Sequence, residues 1–426
     1  MTPVRLPDGD PAPADGALPE RALAELGERP FGIYVHVPFC ATRCGYCDFN
    51  TYTARELEGG APAAGDGARR GRAAAGASGA TPAGYVAAAL AEIALARRAL
   101  GDAAPPAQTV FFGGGTPTLL APAELVALLR AIDAAFGLAP GAEVTTEANP
   151  ESVSPASLAA LREAGFTRIS LGMQSAAPHV LRTLDRAHTP GRAAAAAREA
   201  RAAGFAHVSL DLIYGTPGET DDDWRASLEA ALAAQPDHLS AYALTLEPGT
   251  RLHARVRRGE LPAPDDDVLA ERYAIADARL GEAGLKWYEV SNWAADTAAR
   301  CRHNLGYWRG GDWWGIGPGA HSHVGGVRWW NVLHPATYAQ RLAAGSSPAH
   351  ARELLDDATR RFERIMLELR LAGGLDTALL DDAGAAAAAR AAADGLADAA
   401  ALDAGRVRLT LRGRLLADAL VRELTG

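Results

Sequence analysis

Three of the four cysteines in this 426-residue chain lie within eight residues, as Cys40-x3-Cys44-x2-Cys47, while Cys301 stands alone. Thiols crowded on one short loop point to soft-metal ligation, because a disulfide framework spreads more cysteines along a shorter chain. Three thiolates are one short of closing a tetrahedral zinc or filling a four-iron cluster. On a cluster, the open corner can take an exogenous ligand. The competing reading is a structural zinc completed by His36 or Cys301. It is disfavoured because structural zinc sites more often use paired C-x2-C knuckles. A second signal is Phe112-Gly113-Gly114-Gly115-Thr116-Pro117, where glycines let a ligand approach backbone N–H and C=O groups. Glu147 suits an amine or a ribose. Gln174, Arg186 and Asp211 are unremarkable singly and gain weight only if one surface collects them.

The elements between these residues decide whether it does. Short β-branched or aromatic runs occur at 31–37, 108–112, 143–147, 168–173, 207–213 and 238–244. Helical patterns fall near 84–100, 122–136, 154–164, 191–203, 221–234 and 265–283. This alternation predicts an α/β fold with a parallel sheet and covering helices, curved into a partial (βα)6 TIM-like barrel. In such barrels the functional groups sit at the C-terminal strand ends. The cysteines follow the first strand here, the glycines the second, Glu147 the third and Gln174 the fourth, and Asp211 lies late in the fifth.

Residues 1–29 read as a flexible lead and 30–285 as the barrel, with a low-complexity, disordered insertion at 58–81. Residues 286–350 form an aromatic and Gly-rich segment. Residues 351–426 read as a helical C-terminal module in which Val407, Leu409 and Leu411 alternate as a strand before a short helix, in winged-helix style. That module carries 11 Arg against 13 acidic residues, which argues against DNA binding. The whole chain has a formal charge of −9, so nucleic acid is not an expected partner. No run approaches the roughly 20 apolar residues of a membrane span, and the N-terminus lacks a secretory pattern. A cytoplasmic protein is expected.

Together these residues carry a specific resemblance. YVHVPFCATRCGYCDFN at 34–50 resembles the radical S-adenosylmethionine signature. GGGTPT, EANP (147–150), LGMQS (171–175), DRAH (185–188) and DLIYGTPGET (211–220) resemble the coproporphyrinogen dehydrogenase-like branch of that family. The resemblance runs from about residue 30 to the C-terminus. It implies a [4Fe-4S] cluster on Cys40, Cys44 and Cys47, with S-adenosylmethionine chelating the fourth iron. It further implies cofactor contacts from Tyr34, Tyr46, Gly114, Gly115, Thr116, Glu147, Gln174, Arg186, Asp211 and Ala243.

Within that branch, the oxidase subgroup has a further cysteine where this chain has Phe49, and a longer N-terminal cover. CDFN and CRHNLGYW (301–308) resemble instead the heme-chaperone subgroup. Its HNxxYW motif implies heme binding by His303, Asn304, Tyr307 and Trp308, with His303 as an axial ligand and His321 or His323 as alternatives. Trp313, Trp314, Trp329 and Trp330 read as packing. The expected function is binding of heme and its transfer to apo-hemoproteins, with transient contacts to membrane hemoproteins and a homodimer left open. The competing function is oxygen-independent coproporphyrinogen III dehydrogenation, in which each propionate would lose a hydrogen to a 5′-deoxyadenosyl radical and then decarboxylate.

Overall fold

The computed structural model describes residues 6–58, 80–186 and 188–426. Most of the 58–81 stretch, expected as a disordered insertion, lies outside the described residues. The first six strands are β1 (Phe31–Val37), β2 (Ala107–Gly114), β3 (Leu138–Ala148), β4 (Arg168–Gln174), β5 (His207–Tyr214) and β6 (His238–Ala243). They lie side by side in chain order and pair in parallel throughout. Parallel neighbours need crossovers, and helices such as Pro82–Leu100, Pro122–Phe136 and Asp221–Ala233 supply them. The last of these starts cleanly because the Thr220 hydroxyl accepts from Asp223 N–H and three aspartates fill the first turn.

Strand alternation sorts the side chains into two populations. Ile33, Val35, Val37, Val110, Phe112, Ile169, Leu171, Val208, Leu210, Leu239 and Ala241 are buried with the helix-covered core. The intervening positions face the concave side and are largely polar: Glu147, Arg168, Ser170, Gln174, Asp211, His238 and Ser240. A concave polar face behind an apolar outer face is the arrangement of an open barrel.

The sheet does not end with the sixth strand. β7 (Lys286–Glu289) and β8 (Asn292–Ala294) extend it beyond β6. At the other side, β9 (Asp312–Ile316) lies parallel to β1, followed by antiparallel β10 (His321–Val324), β11 (Val327–Asn331) and β12 (Ala349–Leu354). The aromatic segment 286–350 therefore completes a 12-stranded sheet. Trp314, Trp329 and Trp330 are buried, and Trp314 packs edge-on against Trp329 at 4.7 Å.

Two expectations need correction. From residue 6 on, the N-terminal segment is not a flexible lead: Asp10 pairs with Arg352 of β12, Ala22 is buried, and Glu25 accepts from Arg360 at 2.6 Å. The expected run through Val407, Leu409 and Leu411 is also shorter than the alternation suggests. Only Arg406–Val407 is a strand (β14), paired with Leu375–Asp376 (β13). Thr410 then caps the helix Leu411–Leu415, its hydroxyl accepting from Gly413 N–H. The C-terminal module otherwise consists of helices around its own core of Ile365, Leu369, Val407, Leu420 and Leu424.

Candidate functional site

The concave face opens into a cavity of about 800 Å³, near the upper end for small-molecule sites. Cys40, Cys44 and Cys47 all line it, on the loop that leaves β1. Neighbouring backbone pins that loop: Cys40 N–H donates to Tyr52 O, Gly45 N–H to Leu184 O, and Leu252 N–H to Gly45 O. The glycine turn after β2 is joined to the same loop, with Gly115 N–H donating to Val37 O and Thr116 N–H to Phe39 O. A Cβ at Gly115 would meet Phe39 O at 2.4 Å, so only glycine permits this close approach.

Burial pushes the Cys40 thiol up and the Cys47 thiol up to about 11. Thiolates here therefore need a positive partner. Arg186 reaches Cys44 Sγ at 3.5 Å and donates to Gly172 O at 3.0 Å. Among the described residues, no three Cys, His, Asp or Glu side chains converge as ligands of a single ion. A polynuclear cluster spreads its thiolates over different irons, so three separated soft donors facing one cavity fit it. The residues named for a zinc alternative are committed elsewhere. His36 Nε2–H donates to Asn50 O and its Nδ1 pairs with Tyr34, while buried Cys301 contacts Glu143.

Of the residues implied for the cofactor, Tyr46, Gly114, Gly115, Thr116, Glu147, Gln174, Arg186, Asp211 and Ala243 line the cavity. Tyr34 does not: its ring lies beside the stacked Phe111 and His303, with its hydroxyl on His36. Glu147 accepts from Gly114 N–H at 3.2 Å, and Asp211 accepts from Ser170 at 2.8 Å. Burial pushes Glu147 up to about 8 and raises Asp211 as well. Gln174 holds a positive φ of 65°, unusual for a residue with a side chain, at the strand end facing the mouth. Sequence reasoning missed Arg168, Ser170, His238 and Ser240, which also line the cavity. Their two-residue alternation with apolar neighbours was the available signal.

Of the HNxxYW residues, Asn304 alone lines the large cavity. The motif forms the short helix Arg302–Trp308, which closes the bottom of the barrel. Glu143 accepts from the N–H groups of Arg302 and His303, both at 3.1 Å. His303 is 3% exposed, stacks on Phe111 at 5.1 Å, and pairs Nδ1 with Thr109 and Nε2 with Tyr307, each at 2.8 Å. Burial pushes its imidazole down to about 3. Both imidazole nitrogens are thus engaged and the ring is enclosed. The cavity beside His303 and Tyr307 measures about 110 Å³, too small for a porphyrin. Trp308 packs against the small core of Tyr288, Ala294 and Leu305, and Asn304 with Cys301 floors the large cavity. The motif thus bolts the two sides of the open barrel together. His323 pairs Nδ1 with Gly311 O and is buried, whereas His321 is exposed beside Trp330.

Residues 34–231 match the Radical SAM superfamily, which implies an iron–sulfur cluster and S-adenosylmethionine at this mouth. Over 404 residues the chain is 54% identical to the heme chaperone HemW of Mycobacterium tuberculosis, spanning 95% of this chain and 97% of that one. The chain belongs to the HemW family. A second family member, heme chaperone HemW of Escherichia coli, is 35% identical over 299 residues, covering 69% of this chain and 70% of its own. The solved coproporphyrinogen III oxidase HemN of Escherichia coli superposes with a TM-score of 0.76 over 97% of this chain and 94% of that one. At 22% identity, that likeness establishes the shared fold. Among the described residues of this HemW-family chain, no helix is long and apolar enough to cross a membrane.

Proposed function

We propose that the protein is a heme chaperone, binding heme at the barrel mouth and passing it to apo-hemoproteins. One observation carries the placement. Phe49 is 59% exposed, Leu119 41% and Tyr242 40%, and all three line the mouth of the same cavity from different elements. A large apolar side chain left wholly in water forgoes about 1.5–3 kcal/mol of burial, and these three forgo roughly half of that each. A ring of them around one opening marks a binding surface, and a porphyrin face is a broad apolar plane that suits it. Membership of a family whose relatives are named heme chaperones supports the ligand.

Cys40, Cys44 and Cys47 would hold the [4Fe-4S] cluster, with Arg186 balancing thiolate charge. Glu147 and Asp211 would receive the amine or hydroxyl groups of S-adenosylmethionine. When bound, the cluster supplies electron-transfer chemistry to that cofactor. The open rim favours delivery over catalysis, because radical chemistry needs a site shielded from water and stray donors.

The test is to titrate anaerobically reconstituted protein with heme and with coproporphyrinogen III side by side. Heme should bind, and no protoporphyrinogen IX should form with reductant and S-adenosylmethionine present. The Phe49→Ser/Tyr242→Ser double variant should bind heme at least tenfold more weakly with its cluster intact. Product at ordinary enzymatic turnover would overturn the chaperone reading, and unchanged heme affinity in the double variant would overturn the placement.

A further inference from the structure

The cavity is deeper than its cysteine end requires. Along β4 the inward row is Gln174, Gly172, Ser170 and Arg168, from mouth to floor. Arg186 reaches Gly172 O near the top of that row. Arg168 lies four residues further down, roughly 13 Å at about 3.3 Å per residue.

Arg168 is 1% exposed and lines the cavity floor. Its Nη1 donates to Ala299 O at 2.7 Å. Its Nη2 is buried with no hydrogen-bond partner. No carboxylate among the described residues comes within ion-pair distance of it. Glu143, a nearby acid, spends its oxygens on Arg302 N–H, His303 N–H and the Cys301 thiol. Asp211 is engaged by Ser170. The other floor groups are also committed, with His238 bonded to both Ser209 and Tyr288. A guanidinium is always charged; Glu143, Asp237 and Asp211 offset that charge from beyond ion-pair distance, and what is left unmet is the hydrogen bonding of Nη2. Its planar edge matches a carboxylate in two parallel hydrogen bonds.

We infer that the floor of the barrel is a second ligand subsite, in which Arg168 receives a carboxylate from a molecule distinct from the one on the cysteine loop. That carboxylate can come from a small free acid or from a propionate of a porphyrin entering from the mouth. The second source rests on the heme reading above, and the first does not.

Acetate, heme and heme dimethyl ester distinguish the two on reconstituted holoprotein. Acetate should raise the thermal midpoint of the wild type above that in chloride of equal ionic strength, and Arg168→Gln should abolish the difference. Arg168→Lys should retain part of it. If a propionate is the ligand, heme should also bind at least tenfold tighter than its ester in the wild type, and equally in Arg168→Gln. An acetate effect with an acid-to-ester ratio that the substitution leaves unchanged identifies a free small acid. If neither porphyrin binds, the heme reading fails while the acetate arm still decides the subsite. No acetate effect, together with a ratio indifferent to Arg168→Gln, overturns the inference. Should the variants not fold, wild-type crystals soaked in 3-bromopropionate decide instead. A bromine anomalous peak beside Arg168 supports the subsite, and its absence at saturating soak overturns it.

Discussion

Glu147 illustrates how much a single residue's surroundings decide. Burial lifts its carboxyl to about 8, Asp211 adds to the rise, and Gly114 N–H opposes it. The folded, ligand-free protein therefore keeps a proton that the unfolded chain loses near 4.5. Because the folded state binds more protons in that window, this group's contribution to stability falls as pH rises from about 4.5 to about 8. A cationic ligand favours the ionised form and should expel the proton on binding. We expect Glu147→Gln to weaken S-adenosylmethionine more than tenfold, about 1.4 kcal/mol, and to remove most of the proton release between pH 7 and 9. Calorimetry in buffers of different ionisation enthalpy reads both; unchanged values would place the ligand away from Glu147. Replacing Cys40, Cys44 or Cys47 by Ala should abolish four-iron loading, whereas Cys301→Ala should load normally, by iron and sulfide analysis. The cysteines and Glu147 could be singled out in the sequence because each sits directly after or within a legible strand. Arg168 could not: nothing near it in sequence reveals that one of its guanidinium nitrogens is buried without a partner.

At the scale of elements, the bolt helix Arg302–Trp308 shows where local reading stops. A histidine among aromatics looks like a heme ligand when only neighbours in sequence are visible. Its partners are Glu143, Thr109 and Phe111, all more than 150 residues away, and they turn the same residues into a buried closure. His303→Ala would remove a stacked ring and leave the Thr109 and Tyr307 hydroxyls without it. The expected cost is about 2–4 kcal/mol of stability. Thermal unfolding should show that loss, while heme affinity of the folded protein changes less than twofold. A tenfold loss of heme affinity without destabilisation would instead support His303 as the axial ligand. The six barrel strands, in contrast, follow from local alternation and turn chemistry, which is why their order was legible. Strand β9 was not, since it pairs with β1 from about 280 positions away.

At the scale of the molecule, the chain is one long sheet with a helical module attached in two places, beside β11 where Arg360 pairs with Glu25 and Arg328 with Glu363, and near β7. Arg414 of the module donates to both Asp277 oxygens, at 3.0 and 2.7 Å, and to the Tyr273 hydroxyl at 3.2 Å. Its guanidinium also lies 4.3 Å from the Trp287 ring centroid. The module adds a backbone bond from Ala372 N–H to Tyr288 O and a bridge between Leu371 and Glu289. Tyr288 of β7, Leu305 of the bolt helix and Leu371 of the module share one small core, so the three meet at one point. The Arg414–Asp277 pair is mostly buried and two-pronged, which makes it worth more than a surface pair, and its loss leaves Asp277 with Trp293 N–H alone. Arg414→Ala should therefore cost about 2–4 kcal/mol at this junction. Because the module has its own core, the loss should appear as local release rather than global unfolding. Hydrogen exchange in Ala417–Thr425 should accelerate at least tenfold, while Asp357–Glu368, held also by Glu25 and Arg328, and the strands around the cysteine loop stay protected. Arg414→Lys should recover part of the protection, having charge but no planar fork. Uniform acceleration across barrel and module would instead mean that the two fold as a single cooperative unit, and that Arg414 is one contact among many.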